Sequence, residues 1–490
     1  MHITVVGSGY VGLVAAACLA EIGHHVVCVD NDFDKIAILS DGGLPIHEDY
    51  LGQLLAHHLD KKLSFSTSLK NAARESNAIF IAVGTPPLPD GSANLSCVDS
   101  VVREIANCLA GYQVVIVKST VPLGTSEHLQ LTMAAETAGR CEFDVASNPE
   151  FLREGSAVVD FLYPDRIIVG TKTDRARRLL QAVYAPLISG SYQRGPGAVP
   201  KPAEARCKPV YLETLPQSAE LVKLASNAFL ATKISFSNAV SQICDVAGAD
   251  IEEVRMGMGS DHRIGLDFLK AGIGFGGSCF PKDLAAFRAT ADGMQVNFAL
   301  LDEVAKINID QRTRFIDKVR RALGTIANKR LGVLGLAFKS GTDDIRDSPA
   351  IAVIKALLDE GARITAYDPA AMARTRQVLG SAVEYAMDSY SVAQGADALL
   401  VLTEWKEFQR LDLGRIQKIL RFPIVVDGRN LFSPDRMAKA GLTYYSIGRP
   451  AVNRPHPLSL KSRQNRKGMA TTSRIAHKGS RKPALYPNNS

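Results

Sequence analysis

The stretch Ile3-Thr4-Val5-Val6-Gly7-Ser8-Gly9-Tyr10-Val11-Gly12 decides the fold of this chain. Its first four residues form an apolar run typical of a buried β-strand, and three glycines with the spacing Gly-x-Gly-x-x-Gly follow at once. An apolar helical segment continues over residues 13–22, and a second strand at 25–29 ends in Asp30. This order of strand, glycine turn, helix and acid-terminated strand predicts the first unit of a dinucleotide-binding Rossmann sheet.

The glycines and the acid each have a predicted part in binding a dinucleotide. Gly7 permits the tight turn, Gly9 lets a pyrophosphate approach the main chain, and Gly12 lets the helix pack closely on the strand. The first amides of the helix supply hydrogen-bond donors and the positive end of its dipole. Asp30 is expected to hold ribose hydroxyls and to repel a 2′-phosphate, which favours NAD over NADP, and Lys35 lies close to the same end.

Length and composition indicate a large protein of several domains. The chain has 490 residues, 46% of them hydrophobic and 22% charged, so about three units of ~150 residues are expected. The eight cysteines lack the paired short spacings of a zinc site or a disulfide framework. No apolar run approaches the ~20 residues that span a bilayer. We therefore expect an intracellular, cytoplasmic protein with no metal site and no membrane segment.

Two segments have the composition of irregular chain. Residues 190–209 are rich in Gly and Pro and are predicted to form a mobile loop. Residues 449–490 carry ten Lys or Arg and no Asp or Glu, so the net charge of +7 comes from this tail and residues 1–448 are slightly acidic. The tail is predicted to be disordered. A solvated tail without a dedicated partner is favoured over contact with nucleic acid or an anionic membrane.

Further strands predict a sheet with a site at one edge. They are expected at 78–83, 114–118, 144–147 and 166–170, separated by segments of helical length. Ligands of doubly wound sheets bind beyond the carboxyl ends of the strands, where three loops here combine Pro or Gly with polar side chains. Glu150 and Glu154 in the third loop could equally be carboxylates that stabilise the start of a helix.

A second α/β unit is predicted beyond a long helix. Residues 218–246 carry apolar residues at helical spacing with no Pro or Gly. Lys223 and Asn227 would share one face of that helix, although such a pair is more often surface decoration. From residue 330 a strand, a helix and a strand recur without the dinucleotide glycine spacing. The expected fold class is α/β, with two Rossmann-like doubly wound domains joined by a long central helix and a cleft between them.

Cys279 lies in the run Gly274-Phe275-Gly276-Gly277-Ser278-Cys279-Phe280-Pro281-Lys282-Asp283. Glycines let the main chain approach a ligand closely, and a nearby cation favours the thiolate, which is the form that attacks a carbonyl carbon. A small buried cysteine in a tight loop is the alternative. The glycines and the neighbouring Lys282 and Asp283 favour an exposed nucleophile with a stabilised thiolate.

Several motifs together resemble the UDP-glucose 6-dehydrogenase family of nucleotide-sugar dehydrogenases over residues 1–448. They are Gly7 to Gly12, Val83-Gly84-Thr85-Pro86, Ser119-Thr120-Val121-Pro122, Asn148 to Gly155, Ala219-Glu220-Leu221 to Asn227, Gly274 to Asp283, and Ala337-Phe338-Lys339. The resemblance implies an NAD-binding domain at 1–212, a central helical domain used for dimerisation at 213–310 and a UDP-sugar-binding domain at 311–448, followed by the basic tail at 449–490.

The resemblance also implies an activity. UDP-glucose would be oxidised at C6 to UDP-glucuronate with two NAD, through a thiohemiacetal and then a thioester on Cys279. Lys223 would stabilise oxyanions, Asn227 would orient the sugar, Asp283 with Thr120 would position water or shuttle protons, and Glu150 would act as the base in thioester hydrolysis. The sequence leaves open which group takes the first proton.

The binding residues are likewise implied by the resemblance. For the cofactor they are Gly7, Gly9, Tyr10, Val11, Gly12, Asp30, Lys35, Thr85, Thr120, Glu154, Lys282 and Arg346. For the substrate they are Glu150, Phe151, Leu152, Arg153, Glu154, Lys223, Asn227, Arg263, Lys270, Gly272, Gly274, Phe275, Gly276, Lys339 and Arg429, with Arg263 reaching the neighbouring subunit of a homodimer.

Two other functions are weighed against this one. A sister enzyme acting on GDP-mannose or UDP-N-acetyl-mannosamine shares most of the motifs, but Phe275 and the run from Phe280 to Asp283 look more like the UDP-glucose branch. A non-catalytic NAD-sensing scaffold whose tail binds nucleic acid would have no need of Cys279, Lys223 and Asp283. The enlarged loop at 190–209 and the basic tail depart from the family pattern.

Overall fold

The computed structural model describes residues 1–192 and 199–452. Residues 193–198 of the predicted loop and 453–490 of the predicted tail lie outside the described residues. Arg449, which the sequence assigns to the tail, contacts the fold: it donates to Asp250 Oδ1 at 3.1 Å and to the carbonyl oxygen of Phe432 at 3.0 Å.

The first sheet has eight strands within residues 1–192 and 199–452. They are β1 (His2–Val6), β2 (His25–Val29), β3 (Leu63–Ser66), β4 (Ala78–Ile81), β5 (Gln113–Val117), β6 (Phe143–Ser147), β7 (Arg166–Gly170) and β8 (Val210–Thr214). Their order is β3-β2-β1-β4-β5-β6-β7-β8, and the first six strands are parallel, as in a dinucleotide-binding sheet. β7 runs antiparallel to β6, a reversal that the sequence analysis did not predict.

Among the residues that the structure describes, nine helices accompany this sheet. They are α1 (Tyr10–Glu21), α2 (Phe33–Ser40), α3 (Leu51–His58), α4 (Leu69–Glu75), α5 (Ser96–Cys108), α6 (Thr125–Thr137), α7 (Ala157–Leu162), α8 (Asp174–Val183) and α9 (Ala185–Ile188). α1 is buried from Gly12 to Glu21, because it packs against the sheet on one side and against α3 and α7 on the other. This packing places the start of α1 at the carboxyl end of β1.

The central helices follow. They are α10 (Pro216–Ala247), α11 (Ile251–Gly259), α12 (Phe280–Gly293) and α13 (Ala299–Leu323). α10 begins with Pro216, whose missing amide costs nothing at a first helical position, and ends where Gly248 adopts a φ of 77°. Its 32 residues extend about 48 Å at 1.5 Å per residue. The prediction of one long central helix is confirmed.

The second sheet repeats the order of the first six strands of the first sheet. Its strands are β9 (Arg330–Leu334), β10 (Arg363–Tyr367), β11 (Val383–Tyr385), β12 (Ala398–Val401), β13 (Ile424–Asp427) and β14 (Thr443–Ser446). They are all parallel in the order β11-β10-β9-β12-β13-β14. Its helices are α14 (Pro349–Asp359), α15 (Met372–Leu379), α16 (Lys406–Gln409), α17 (Leu413–Ile419) and α18 (Pro434–Lys439). The prediction of two Rossmann-like units is therefore confirmed.

Each sheet is covered by apolar side chains on both faces, as expected for parallel strands. Phe80 and Ile79 on β4 point into different clusters, as do Val333 and Leu334 on β9. Polar residues are thereby left to the loops beyond the strand ends. Within the described residues, no helix combines the length and the apolar character that a bilayer crossing needs.

Candidate active site

The glycine turn after β1 borders an open space. Gly7 has a φ of 100°, and its amide donates to the carbonyl oxygen of Val29 at 2.7 Å. A Cβ on Gly7 would lie 2.7 Å from the carbonyl oxygen of Ala82, and a Cβ on Gly12 would lie 1.8 Å from that of Gly7. A Cβ on Gly9 would meet no protein atom within 4 Å. Gly7 and Gly12 therefore close the turn, while Gly9 leaves room for a ligand.

Asp30 lies beside this turn at the end of β2. Its Oδ2 accepts hydrogen bonds from the amide and the hydroxyl of Ser8, both at 2.7 Å, and Lys35 Nζ lies 3.3 Å from the same oxygen. Burial opposes ionisation of this carboxyl, but hydrogen bonds from Ser8 and Asp32 lower its pKa overall. Asp30 is therefore a fixed carboxylate, suited to accept hydrogen bonds from ribose hydroxyls and to repel an added phosphate.

Other predicted cofactor residues lie on loops at the same edge of the sheet. Thr85 after β4 donates from its hydroxyl to the carbonyl oxygen of Thr120 after β5, at 2.8 Å. The Tyr10 hydroxyl accepts a hydrogen bond from the Gly155 amide at 2.7 Å. Val11 is half-buried against the core below the turn. The space at Gly9, the first amides of α1 and the ionised Asp30 together fit an NAD molecule.

Cys279 directly precedes α12 and is half-buried. Its carbonyl oxygen accepts a hydrogen bond from the Asp283 amide at 2.8 Å, and its sulfur lies 3.5 Å from the Ser278 hydroxyl. The thiol is electrostatically coupled to Glu150, Lys223 and Asp283, which come from three separate parts of the chain. The fold therefore brings three other predicted catalytic residues close enough to the Cys279 sulfur to act on its charge.

The glycines before Cys279 pack against the protein itself. A Cβ on Gly274 would lie 2.6 Å from Asn308 Oδ1, and a Cβ on Gly276 would lie 2.2 Å from the carbonyl oxygen of Asp347. A Cβ on Gly272 would lie 3.0 Å from the carbonyl oxygen of Gly428. The side on which a Cβ would stand is therefore filled by protein atoms at these three positions, while the approach of their main chain to a ligand stays a prediction. Their main chains are held by neighbouring segments, and this fixes the path of the loop.

Lys223 on α10 is paired with Glu150 after β6. Lys223 Nζ donates to Glu150 Oε1 at 2.8 Å, and both side chains are buried. Burial opposes both charges, yet attraction to Lys223 holds the pKa of Glu150 below its usual value, and attraction to Glu150 and Asp283 raises the pKa of Lys223. Glu150 Oε2 also accepts from the Leu152 amide at 2.5 Å. The pair is therefore ionised on both sides.

Asp283 is held from two directions. Asn227 Nδ2 donates to its Oδ2 at 2.6 Å, and Lys282 Nζ donates to its Oδ1 at 2.6 Å. The side chain is 1% exposed, and each of its two oxygens accepts a hydrogen bond from a protein donor. Lys223 and Asn227 thus face one buried site, and the expectation that such a pair lies on the protein surface is wrong.

The thiol of Cys279 does not have the low pKa expected from its neighbours in sequence. Burial and the Glu150 carboxylate raise its pKa to about 11, and the opposing effect of Lys223 is smaller. Lys282, the adjacent cation, is engaged by Asp283 at 2.6 Å. The cations near Cys279 are neutralised by carboxylates, and the free protein therefore holds this residue as a thiol.

Glu154 connects three parts of the chain. Its Oε1 accepts from the Ser278 hydroxyl at 3.0 Å, its Oε2 accepts from the Thr342 hydroxyl at 3.3 Å, and Arg346 Nη2 lies 3.5 Å from Oε1. Burial and the nearby Asp344 raise the pKa of Glu154 to about 7. The carboxyl therefore titrates near neutral pH, next to the residue that precedes Cys279.

Lys339 and Arg429 lie on the side of the second sheet. Burial lowers the pKa of Lys339, and Glu154 is the main charge that opposes this effect. Arg429 donates to the carbonyl oxygens of Leu402 at 2.8 Å, Gly274 at 3.2 Å and Phe338 at 2.9 Å. Three of its five N–H groups therefore hold the main chain around the cleft.

Three predicted substrate cations are exposed. Arg263 pairs with Asp261 at 2.6 Å, Arg153 pairs with Asp160 at 2.6 Å, and Lys270 is exposed beside the Cys279 loop. Phe151 is covered by the Arg166 guanidinium at 3.9 Å from its ring centre. Within this one chain, Arg263 is bound to its own loop and does not join the group around Cys279.

Comparison with known proteins identifies the family. The UDP-glucose/GDP-mannose dehydrogenase family matches with its NAD binding domain over residues 1–188, its central domain over 217–310 and its UDP binding domain over 332–434. The chain belongs to this family. It is a nucleotide-sugar dehydrogenase that uses NAD.

Two curated relatives and two solved structures illustrate the similarity. A UDP-glucose 6-dehydrogenase of Bacillus subtilis is 43% identical over 456 residues, covering 93% of this chain and 95% of the relative. One of Rhizobium meliloti is 44% identical over 456 residues, covering 92% and 100%. The structure of a UDP-glucose dehydrogenase from Pyrobaculum islandicum is 37% identical with a TM-score of 0.82, covering 92% of this chain and 98% of that one. A UDP-D-ManNAc dehydrogenase from Pyrococcus horikoshii is 27% identical with a TM-score of 0.78, covering 92% and 99%.

The structure of the dehydrogenase adds site residues that the sequence analysis missed. Lys118 at the end of β5 is buried and donates to Asn148 Oδ1 at 3.2 Å, and burial lowers its pKa to about 8. A lysine that ends an otherwise apolar strand is the signal that could have drawn attention to it. Glu48 is also buried and contacts the loop of Glu154. Its segment, between α2 and α3, carried no motif.

Proposed function

We propose that this dehydrogenase oxidises the C6 hydroxymethyl group of UDP-glucose to a carboxylate in two steps, through a thioester on Cys279. The observation that carries the proposal is the grouping of Cys279 with Lys223, Asn227 and Asp283 at the start of α12. Support for the substrate comes from curated UDP-glucose 6-dehydrogenases that are 43–44% identical to this chain. The Gly9 turn, the first amides of α1 and Asp30 would hold NAD, which would supply the hydride acceptor for each of the two oxidations.

In the first oxidation, the C6 hydroxyl loses its proton and C6 loses a hydride, which leaves an aldehyde. Lys223 is cationic in the free protein, because Glu150 and Asp283 raise its pKa. It would therefore stabilise the negative charge that develops on the C6 oxygen. Asn227, oriented by Asp283, would hold the sugar in place.

The Cys279 sulfur would then bond to the aldehyde carbon. The thiol proton leaves, and the former carbonyl oxygen takes up a proton, which gives a thiohemiacetal. A pKa of about 11 means that this proton stays on sulfur until the electrophile arrives. Covalent capture would prevent the escape of the aldehyde between the two oxidations.

Loss of a second hydride from C6 and a proton from its hydroxyl would convert the thiohemiacetal into a thioester. Water then adds to the thioester carbon, the C–S bond breaks, and the acid and the thiol are released. Glu150 is ionised and could accept a proton from that water as a general base. Asp283 and Thr120 are proposed to position the water.

The remaining site assignments stay proposals of the same kind. Lys339, Lys270 and the free N–H groups of Arg429 would contact the diphosphate, with the main chain of Gly272 to Gly276 beside the nucleotide. Arg346, Lys282 and Glu154 would border the cofactor. The requirement for a free thiol at Cys279 suits the reducing cytoplasm, where we expect the protein.

A homodimer through α10 is part of the proposal. Phe229, Phe236 and Ile243 are seven residues apart on this helix and are 65%, 52% and 68% exposed. Positions seven apart share one face of a helix, so these side chains form a continuous apolar stripe. We propose that a second copy covers it and that Arg263 of one copy reaches the site of the other. Light scattering of Phe236→Glu should show monomers, and an unchanged mass would exclude this face.

The test of the function is an assay of NADH formation with UDP-glucose, GDP-mannose and UDP-N-acetyl-mannosamine. Two NADH per UDP-glucose, together with an acid product, are expected. One NADH per sugar would mean release of the aldehyde and would contradict the thioester route. Turnover only with another nucleotide sugar would favour the sister activity, which the Pyrococcus horikoshii structure represents.

A further inference from the structure

Glu48 is a buried carboxyl with main-chain partners. It is 7% exposed and lies in the segment between α2 and α3. Its Oε2 accepts from the Gly155 amide at 2.6 Å, and its Oε1 accepts from the Ala157 amide at 2.6 Å and the Val158 amide at 3.4 Å. Among the residues that the structure describes, no Lys, Arg or His side chain forms an ion pair with it. Main-chain amides are thus its main support.

The segment that Glu48 holds carries Glu154. Residues 153–157, here named the Glu154 turn, place that carboxyl between the Ser278 and Thr342 hydroxyls at 3.0 and 3.3 Å. Ser278 directly precedes Cys279 in sequence. The Glu154 turn is therefore one point at which the NAD-binding side of the molecule contacts the loop that carries the thiol.

The Glu154 turn also fits closely against the second α/β unit. Gly155 has a φ of 81°, and a Cβ there would lie 2.5 Å from the carbonyl oxygen of Gly341. The Gly155 amide is shared between Glu48 and the Tyr10 hydroxyl, at 2.6 and 2.7 Å. A small displacement of Gly155 would break these bonds or produce a clash, so the anchor of this amide determines where Glu154 lies.

We propose that Glu48 is a positioning residue, whose carboxylate fixes the amides of Gly155 and Ala157 and thereby holds the Glu154 carboxylate between Ser278 and Thr342. The inference rests on the proposed function only in taking Glu154 as part of the substrate and cofactor cleft. A residue with a purely structural role would also be buried, but its protonation would not change the geometry of the loop that carries Cys279.

Protonation of Glu48 should have a measurable effect that a purely structural residue would not show. Burial raises its pKa to about 7, the amides of Gly155, Val158 and Ala157 oppose this shift, and the neighbouring Asp49 adds to it. The uncharged Tyr10 hydroxyl is the other polar group at the Gly155 amide. The three amides lower the pKa of Glu48 relative to a state in which it stays buried without them, so a proton gained as the pH falls through about 7 favours release of these amides. The Glu154 turn should therefore detach from a still-buried Glu48 more readily on the acidic side. Glu154 titrates in the same pH range, so the effect of Glu48 protonation is measured at the amides that Glu48 contacts.

The experiment compares the full chain with Glu48→Gln, which keeps the shape of the side chain but leaves one accepting oxygen. Asp49→Asn is the matched control, because it removes an equal charge from the adjacent, exposed residue. Hydrogen exchange of residues 153–158, corrected for the intrinsic rates, should be at least about tenfold faster in Glu48→Gln at pH 8 and unchanged in Asp49→Asn. Wild-type exchange there should approach that of Glu48→Gln as the pH falls below 7.

Kinetics supply the second readout. In Glu48→Gln, kcat/KM for UDP-glucose should fall at least about tenfold while the melting temperature shifts by only a few degrees. If Glu48→Gln does not fold, Glu48→Asp, which keeps the charge but shortens its reach, is measured in its place. If the folded variant has the same hydrogen-exchange rates and the same kcat/KM as the wild type, the inference is overturned. A wild-type protein inactive on UDP-glucose would instead refute the proposed function, and the exchange data would still decide the role of Glu48.

Discussion

Lys223 and Glu150 form an ion pair of 2.8 Å in which the side chains are only 4% and 5% exposed. The two residues act on the Cys279 thiol in opposite directions, because the carboxylate raises its pKa and the ammonium lowers it. Burial raises the pKa of the proposed nucleophile most, and the balance of this pair adjusts it further. A cation next to a thiol does not make a thiolate when a carboxylate already neutralises that cation.

The balance predicts opposite effects of two substitutions. Glu150→Gln should lower the pKa of Cys279 from about 11, and Lys223→Met should raise it, since each removes one of the opposing charges. The measurement is the rate of alkylation of the Cys279 peptide by iodoacetamide between pH 6 and 10, followed by mass spectrometry. In the wild type the rate should rise about tenfold per pH unit over this range, because the thiolate fraction does so below the pKa. The exposed Cys97 serves as an internal control, and identical pH profiles in all three proteins would contradict this account.

The same ion pair should have a measurable effect on stability. Lys223→Met leaves a buried carboxylate without its partner, so the free energy of unfolding should fall by about 3–5 kcal/mol. The double variant Glu150→Gln with Lys223→Met removes both charges and should recover most of that loss. Denaturant titration of the two proteins checks this at pH 7. A double variant as unstable as Lys223→Met alone would mean that the loss comes from packing.

Cys279→Ser tests covalent catalysis. Oxygen at this position is a poorer nucleophile at neutral pH, so acid formation from UDP-glucose should fall by about 10³-fold or more. Binding of NAD and of UDP-glucose, measured by calorimetry, should stay within about threefold of the wild type, since the side chains differ by one atom. Cys97→Ser, on the exposed side of α5, should retain full activity. Wild-type acid production by Cys279→Ser would exclude the thioester.

The sequence predicted the parts of this fold that short-range patterns encode. The run from Ile3 to Gly12 is typical of a strand followed by a glycine turn and a helix, and the apolar stretch at 218–246 fits only a long helix. It did not predict β3 or β8, because these strands lie at or near the sheet edge and are partly exposed. Such strands lack the continuous apolar run that marks a buried parallel strand.

The residues of the candidate site were easier to predict than their pairing and their pKa values. Lys223, Asn227 and Cys279 were found from their motifs, but the pairing of Lys223 with Glu150 depends on contacts across 73 positions of the chain. The high pKa of the thiol follows from that long-range contact and from burial. Glu48 was missed because it belongs to no local pattern. Lys118 was missed although it ends an apolar strand, because its contacts come from tertiary packing.

Substitutions of Gly9 and of Gly12 should separate an effect on NAD binding from an effect on folding. A Cβ on Gly9 meets no atom within 4 Å, and its φ of −69° is accessible to alanine, so Gly9→Ala should change the free energy of unfolding by less than about 1 kcal/mol. Its methyl group would occupy the space left for the pyrophosphate, and NAD affinity should fall at least about tenfold.

Gly12→Ala should behave in the opposite way. Its Cβ would lie 1.8 Å from the carbonyl oxygen of Gly7, a main-chain atom that cannot move without displacing β1 from α1. The free energy of unfolding should therefore fall by about 2 kcal/mol or more, and NAD affinity should decline only as the turn deforms. Thermal unfolding with and without NAD separates the two cases, because added NAD should raise the melting temperature of Gly12→Ala by more than that of Gly9→Ala. Equal stabilisation of both variants by NAD would show that the dinucleotide does not approach the main chain at Gly9.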